Sequence, residues 1–221
     1  MTIRLYFAPG ACSFVPHVAL ETITAATGTS VEYQLVKLHK GEHRTPEYLA
    51  MNPDGQVPVL QVDGRALPQI MAICGYLDAR FPEVGLLPAD AWARAQTLSM
   101  MAWINNTVHP TFAQFFMPHK FSDDAEAQAK LRGFAAATYR THLERIQGWL
   151  GCAQPFLGGA RPSFIDAYVL TLLRWGGHAG IDPDTLPAYR DYVARLAQEP
   201  AVAAAITRER IELNTFKPAT A

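Results

Sequence analysis

The sequence is poor in cysteine, in long apolar runs and in charge of one sign. Its three cysteines, Cys12, Cys74 and Cys152, are an odd number at wide spacing, which argues against a disulfide scaffold or a zinc site and favours a reducing compartment. No stretch approaches the roughly 18 uninterrupted apolar residues of a membrane span, and the first residues lack the apolar length of a signal peptide. We therefore expect a cytoplasmic protein with no membrane partner and no metal.

The charge balance also gives little reason to expect a polyanionic partner. A formal net charge of −1 does not favour nucleic acid or an anionic membrane surface. With 221 residues, 49% of them hydrophobic, the chain can bury a substantial core and hold one large domain or two small ones.

Residues 52–60 are the stretch around which the rest of the chain is organised. Asn-Pro-Asp-Gly is dense in turn formers, and the following Gln-Val-Pro-Val-Leu enters a short apolar strand. Because proline lacks the amide that a central strand needs, Pro58 is expected at the start of that strand, with the amide and carbonyl of Val57 outside the sheet. A cis Val57–Pro58 bond would suit such a turn. The open groups predict a peptide-like ligand beside Val57; an ordinary turn before an edge strand is the alternative.

Strand and helix patterns alternate on both sides of this stretch up to residue 81. We predict strands at residues 3–7, 31–36, 57–62 and 65–67, and helices at residues 14–26, 45–51 and 69–81. The order β-α-β-α-β-β-α predicts a four-stranded sheet between helices, with Asp63-Gly64 as the turn of its hairpin.

The remaining chain has a helical pattern after a linker rich in proline and glycine. Helices are predicted at residues 92–109, 125–150, 164–175, 188–198 and 201–211, and Pro110 is expected to kink or interrupt the first of them. Ser163 and Asp166 have capping-box spacing before a helix that is apolar almost all round and therefore buried. We assign this box to folding.

Taken together, these features resemble the cytosolic glutathione transferases, closest to the bacterial beta class, over essentially the whole chain. The resemblance rests on Gln56-Val57-Pro58, on the Ser163/Asp166 box and on the run Pro-Gly-Ala-Cys-Ser-Phe-Val-Pro-His at residues 9–17. It implies an α/β plus all-α fold: a thioredoxin-like glutathione-binding domain at residues 1–81, a linker at 82–91, and an all-helical bundle at 92–221 that lines the co-substrate pocket. It also implies glutathione as co-substrate, a small electrophile or disulfide as the other substrate, and a homodimer.

The resemblance gives individual residues their expected roles. Cys12 is implied as the active-site cysteine, at a helix mouth where the dipole stabilises a thiolate; a small buried hydrophobic residue is the alternative. Ser13 is implied as a donor to the glutathione sulfur, and His109 as a histidine of the catalytic site. Contacts to glutathione are implied for Lys40, Gln56, Val57, Pro58, Gln69, Ile70 and, across the dimer interface, Asn105. For Lys40, a solvated lysine in a charged loop is the alternative.

Two further expectations concern the walls of the site. Aromatic residues of the helical part are predicted to line an apolar co-substrate pocket, with a core role as the alternative: Phe112, Phe115, Phe116, Trp175 and His178. Ile70 departs from the family pattern, which has Ser, Thr or Gly after Gln69. It offers an amide but no hydroxyl, and its branched side chain is expected close to the ligand. Losing a hydrogen bond to a charged group costs about 1.5–3 kcal/mol.

The resulting functional interpretation is a glutathione S-transferase that directs the glutathione thiolate at small electrophiles. A glutathione-dependent thiol–disulfide reductase with Cys12 as nucleophile is one alternative. The other is a non-catalytic scaffold of the same fold, for which Ile70 is the supporting residue.

Overall fold

The computed structural model of the protein describes residues 1–151 and 155–218. Its first part contains the predicted four-stranded sheet, in the order β2-β1-β3-β4. Strand β1 pairs in parallel with β2 and antiparallel with β3, and β3 and β4 form the hairpin. The strands are β1 (Ile3–Phe7), β2 (Val31–Leu35), β3 (Val59–Val62) and β4 (Arg65–Pro68).

Helices cover both faces of this sheet, as the pattern predicted. Helices α1 (Phe14–Thr27) and α3 (Ile70–Arg80) pack on one face, where Leu5, Leu20 and Ile73 are fully buried. Helix α2 (Pro46–Met51) covers the other face through Tyr48, which packs on Val36 and Val59. Alternate residues of β1 point into the main core, which is the period-2 pattern of a half-buried strand.

The part of the chain after residue 90 is helical, as predicted. None of the helices in the described ranges is long and apolar enough to cross a membrane. Cys74 is buried in α3, in agreement with its expected packing role, whereas Cys152 lies outside the described residues. The helices are α4 (Ala91–Trp103), α5 (His109–Phe116), α6 (Ala125–Leu150), α7 (Phe164–His178), α8 (Pro187–Leu196) and α9 (Pro200–Glu209).

Pro110 interrupts the regular helix without ending it. Helix α4 passes into one π-helical turn, Ile104–Val108, and then directly into α5, with Pro110 in the first turn of α5. Because the hydrogen-bond spacing changes at this junction, the absent proline amide is accommodated without a break. His109, the first residue of α5, directly follows the π turn.

Helix α7 is the buried centre of the helical part. The predicted capping box is present at its start, and the fully buried Asp166 carboxylate accepts the amides of Ser163, Leu157 and Gly158 at 2.7, 2.9 and 3.1 Å. The hydroxyl of Tyr192 donates to the same carboxylate. The Asp166 carboxylate is therefore engaged entirely within the fold, which supports the folding role of the box.

Candidate functional site

The turn between β1 and α1 carries Cys12, and the helical part of the chain fixes its position. The Gly10 amide donates to Glu209 Oε2 at 2.8 Å, and its carbonyl accepts the indole N–H of Trp175 at 2.9 Å. Gly10 has φ +67°, and a Cβ there would lie 2.3 Å from the Arg174 guanidinium. The positive φ favours glycine, and the bonds from Trp175 and to Glu209 let α7 and α9 determine where Cys12 lies.

The Ser13 hydroxyl does not face a ligand, contrary to its predicted role. Ser13 is fully buried, and its hydroxyl accepts the Ala8 amide at 3.1 Å and donates to the Ala8 carbonyl at 3.2 Å. The side chain closes the turn before α1, and it is already bonded on both sides. Donation to the glutathione sulfur is not available to it in this arrangement.

The surroundings of Cys12 favour the neutral thiol, contrary to the expected thiolate. Burial raises the pKa of the thiol to about 12, although the amides of Cys12 and Ser13 oppose the shift. The stabilisation of a thiolate by the helix N-terminus is therefore smaller than the destabilisation caused by its loss of solvation. Cys12 Sγ lies 3.5 Å from the carbonyl oxygen of Val57, to which the thiol donates.

Val57 lies in a bend before β3, and its own backbone is left open. The Val57–Pro58 peptide bond is cis, as predicted. The carbonyl of the preceding Gln56 accepts the Tyr48 hydroxyl and the Asn52 side-chain amide, both at 2.8 Å. Within the described residues the Val57 amide has no partner, and its carbonyl is contacted only by the Cys12 thiol. The fixed bend thus presents two backbone groups for pairing.

The start of α3 is a second open region of the backbone. Gln69 is exposed, has φ +74° and makes no capping bond with its side chain. A non-glycine residue at positive φ is strained, and such residues cluster at functional sites. The Ile70 side chain is only 5% exposed and packs in the main core. It does not point at a ligand as expected, so this position differs from the family pattern by the missing hydroxyl alone.

His109 lies between two aromatic residues of α7. Its Nδ1 is 2.8 Å from the hydroxyl of the fully buried Tyr168, and its ring packs 4.9 Å from the ring of Trp175. Burial lowers the pKa of His109 to about 4, so the imidazole is neutral at pH 7. Because Trp175 also bonds Gly10, two contacts connect His109 to the turn of Cys12.

The predicted pocket aromatics divide into a buried and an exposed group. Phe112 and Trp175 are buried and stacked at a centroid distance of 4.6 Å, and the half-buried Phe115 packs against Phe112. Phe116 continues the stack on Phe112 at 5.5 Å but is 59% exposed, and the exposed His178 lies beside it. Only the exposed end of the row offers ring surface to a second substrate.

Three predicted contacts are exposed or half-buried, and their roles stay predictions. Lys40 ends a short 3₁₀ turn and is exposed, as is the side chain of Gln56. Asn105 is half-buried in the π turn, and its Oδ1 lies 3.4 Å from the Tyr168 hydroxyl. Asn105 is therefore connected to His109 within the same chain.

Sequence reasoning missed two residues of the site. Tyr168 lies in the apolar helix that was assigned to folding, although a buried tyrosine hydroxyl needs a partner and so could have been suspected. Glu209 contacts Gly10 and also His17 Nδ1 at 2.8 Å, and both glutamate and histidine are buried. The contact between Glu209 and Gly10 could not be predicted from a local sequence pattern, because the two residues are 199 positions apart.

The fold and this site define a class: thioredoxin-like proteins with a helical second part and a thiol-containing site that can pair with an extended peptide. The family model described as "Glutathione S-transferase, N-terminal domain" matches residues 1–79. Glutathione S-transferase GST-4.5 of Xanthomonas campestris pv. campestris is 30% identical over 94% of this chain and 98% of its own length.

Two solved structures are similar over nearly the full length. A bacterial beta class glutathione S-transferase from Sphingomonas chungbukensis is 31% identical, covers 93% of this chain and 98% of its own, and has a TM-score of 0.77. A glutathione S-transferase from a sphingomonad, solved in complex with glutathione, is 32% identical over 95% of this chain and 100% of its own, also with a TM-score of 0.77. The chain therefore belongs to the cytosolic glutathione S-transferase family and is an enzyme of that family.

Proposed function

We propose that this enzyme conjugates the thiol of glutathione, its co-substrate, to small electrophiles. The observation that carries the proposal is the open backbone of Val57, held in a fixed bend beside Cys12. A peptide laid along this bend can pair with the Val57 amide and carbonyl, as a strand does when it adds to a sheet edge. The cysteinyl residue of glutathione has the amide and carbonyl that such pairing needs.

The start of α3 suits the γ-glutamyl carboxylate of the same ligand. The first amides of a helix are unpaired and carry the positive end of its dipole, which favours an anion. Ile70 supplies such an amide, and the exposed side chain of Gln69 lies directly before it. We assign the glycyl carboxylate to Lys40, whose ammonium is exposed.

Glutathione supplies the nucleophilic sulfur, and residues of this chain orient it and receive its proton. Since the raised pKa keeps Cys12 protonated, we assign its S–H as a weak donor to the glutathione sulfur. The neutral His109 has a free ring nitrogen that can accept the thiol proton. We assign Phe116 and His178 to the surface that meets the electrophile.

The two alternative functions have less support. A reductase needs Cys12 as a thiolate, and burial opposes that form. The scaffold interpretation depended on Ile70, whose side chain packs in the core. We retain the homodimer as a proposal, supported by Trp92 on α4 and Phe134 on α6, which are 73% and 69% exposed; a second copy would cover apolar surface of this kind. The cytoplasmic location remains a prediction.

The test combines turnover with binding. Purified, reduced protein is assayed for conjugation of glutathione to 1-chloro-2,4-dinitrobenzene and to a panel of other electrophiles, and glutathione is titrated calorimetrically. We expect saturable turnover and a dissociation constant between micromolar and low millimolar. Folded protein that neither binds glutathione nor conjugates any electrophile would overturn the proposal. Disulfide reduction that disappears in Cys12→Ser, without any conjugation, would establish the reductase instead.

A further inference from the structure

Four polar side chains form a continuous hydrogen-bonded series behind the site. His109 Nδ1 is 2.8 Å from the Tyr168 hydroxyl, and that hydroxyl is 3.4 Å from Asn105 Oδ1. The other end of the Asn105 amide, Nδ2, donates to Asn106 Oδ1 at 3.2 Å. The series begins at the exposed Asn106 and ends at the imidazole, and Tyr168 at its centre is fully buried.

The orientation of the Asn105 amide gives this series one direction. Because Nδ2 is used on Asn106, Asn105 presents its carbonyl oxygen to Tyr168, and a carbonyl oxygen can only accept. The Tyr168 hydroxyl therefore donates to Asn105, and its oxygen accepts from His109. Nδ1 must then carry the proton of the neutral imidazole, which leaves the lone pair on Nε2.

The unprotonated nitrogen is the accessible one. Nδ1 is engaged by a fully buried hydroxyl, whereas Nε2 bonds no residue in the described part of the chain and is not a buried, unpartnered atom there. The ring itself is half-buried. Nε2 is therefore the edge that a substrate thiol can reach.

We propose that Tyr168, supported by Asn105, is a positioning residue that holds His109 in the Nδ1–H tautomer and so presents Nε2 as the acceptor for the glutathione thiol. The assignment of the thiol as ligand rests on the proposed function. As the sulfur bonds to the electrophile, its S–H bond breaks, the proton forms an N–H bond at Nε2, and the leaving group departs with its electron pair. His109 then passes the proton to solvent.

Two further observations bear on this role. Burial lowers the pKa of His109 to about 4, so one nitrogen keeps its lone pair throughout the neutral range, and the weakly basic ring gives up to solvent any proton that it receives. Burial raises the pKa of Tyr168, and the nearby Cys12 and Cys74 thiols add to the shift, so its hydroxyl remains protonated and able to donate to Asn105.

The tautomer is measured directly by two-bond ¹H–¹⁵N spectra of the histidine side chains at pH 7, without glutathione. The His109 signal is the one of seven histidines that is lost in His109→Gln. We expect a protonated Nδ1 and a lone pair on Nε2 in the native protein, and mixed tautomers in Tyr168→Phe. A protonated Nε2 in the native protein would overturn the proposal, because the series would then run in the reverse direction.

Kinetics supply the second measurement, with Tyr189→Phe as the matched control. Tyr189 is also fully buried in the helical part, but its hydroxyl donates to the Val169 carbonyl at 2.6 Å and does not contact His109. We expect Tyr168→Phe to lower kcat about tenfold, in the range of changes to residues that orient a catalytic group, with the KM for glutathione within about twofold. Equal kcat values in the two variants would contradict the positioning role.

A third variant keeps the proposal testable if Tyr168→Phe does not fold. Asn105→Ala removes the final acceptor but leaves Tyr168 in the core, and we expect a smaller shift of the His109 tautomer in the same direction. An unchanged tautomer in Asn105→Ala would refute the part assigned to Asn105. Since the spectra need no substrate, a correct tautomer in a protein that does not conjugate glutathione would contradict the proposed function alone.

Discussion

Helices α7 and α3 begin in opposite ways, and the difference separates folding from binding. At the start of α7, the Asp166 carboxylate collects three amides and a tyrosine hydroxyl, all inside the protein. At the start of α3, Gln69 makes no side-chain cap, is exposed and has φ +74°. Unpaired amides at a helix start are satisfied by side chains, water or ligands. The carboxylate at the first helix start has its partners within the fold, and the second helix start is left for a ligand.

The largest effect on the free energy of unfolding is expected at the start of α7. In Asp166→Ala, the amides of Leu157, Gly158 and Ser163 lose a buried acceptor, and each such loss costs about 1–3 kcal/mol. We predict a loss of at least about 3 kcal/mol in the free energy of unfolding, measured by urea denaturation. The exposed cap Asp124 of α6 is the control. Among the residues that the structure describes, its carboxylate accepts only the Ala127 amide, so Asp124→Ala should cost about 1 kcal/mol. Equal losses would remove the distinction between the two kinds of helix start.

The second effect concerns Cys12, which lies just before α1 near another helix start. Because burial raises the pKa of its thiol to about 12, the reactive thiolate is scarce at neutral pH and increases as the pH rises. We predict that iodoacetamide modifies Cys12 at pH 7.5 at least about a hundredfold more slowly than a free cysteine. The rate should still be rising at pH 10.

Mass spectrometry of the Cys12 peptide measures this rate separately from Cys74 and Cys152. A rate that reaches its plateau below pH 8 would show a stabilised thiolate. Such a plateau would support the expectation that the dipole of α1 stabilises a Cys12 thiolate, and it would support the reductase as the alternative function.

The third effect tests whether the strain at Gln69 serves the ligand. Glycine adopts positive φ without steric cost, so Gln69→Gly should raise the free energy of unfolding by about 1 kcal/mol. The loss of the Gln69 side chain should lower the affinity for glutathione by about tenfold. Denaturation and calorimetry measure the two changes in parallel.

Arg210 is the matched control for this strain. It also has positive φ, at 54°, but it ends α9 and is exposed. Arg210→Gly should give a similar gain in stability with no change in affinity. If both variants keep full affinity, Gln69 does not contact the ligand.

Most of the fold could be predicted because its signals are local. The order of strands and helices, the hairpin at Asp63-Gly64, the Ser163/Asp166 box and the position of Pro58 each depend on a few neighbouring residues. Pattern and turn chemistry are sufficient for such features. The family resemblance then supplied the position of the site.

The errors concern side-chain direction and solvation, which depend on the whole fold. Ser13 turned inward to Ala8, Ile70 turned into the core, and Cys12 lost the solvent that a thiolate needs. Tyr168 was overlooked because the sequence of an apolar helix does not indicate which of its polar side chains contacts a residue on another helix. No sequence period encodes these contacts.

The central claim is that the Val57 bend and the start of α3 are completed by glutathione, whereas the Asp166 carboxylate at the start of α7 is already engaged within the fold. An amide ¹H–¹⁵N titration of the reduced protein with glutathione tests it at all three places in one experiment. We predict saturable shifts at the amides of Val57 and Ile70 and none at Ser163 or Asp166. Binding that leaves Val57 and Ile70 unmoved, or that shifts the start of α7 equally, would contradict the claim.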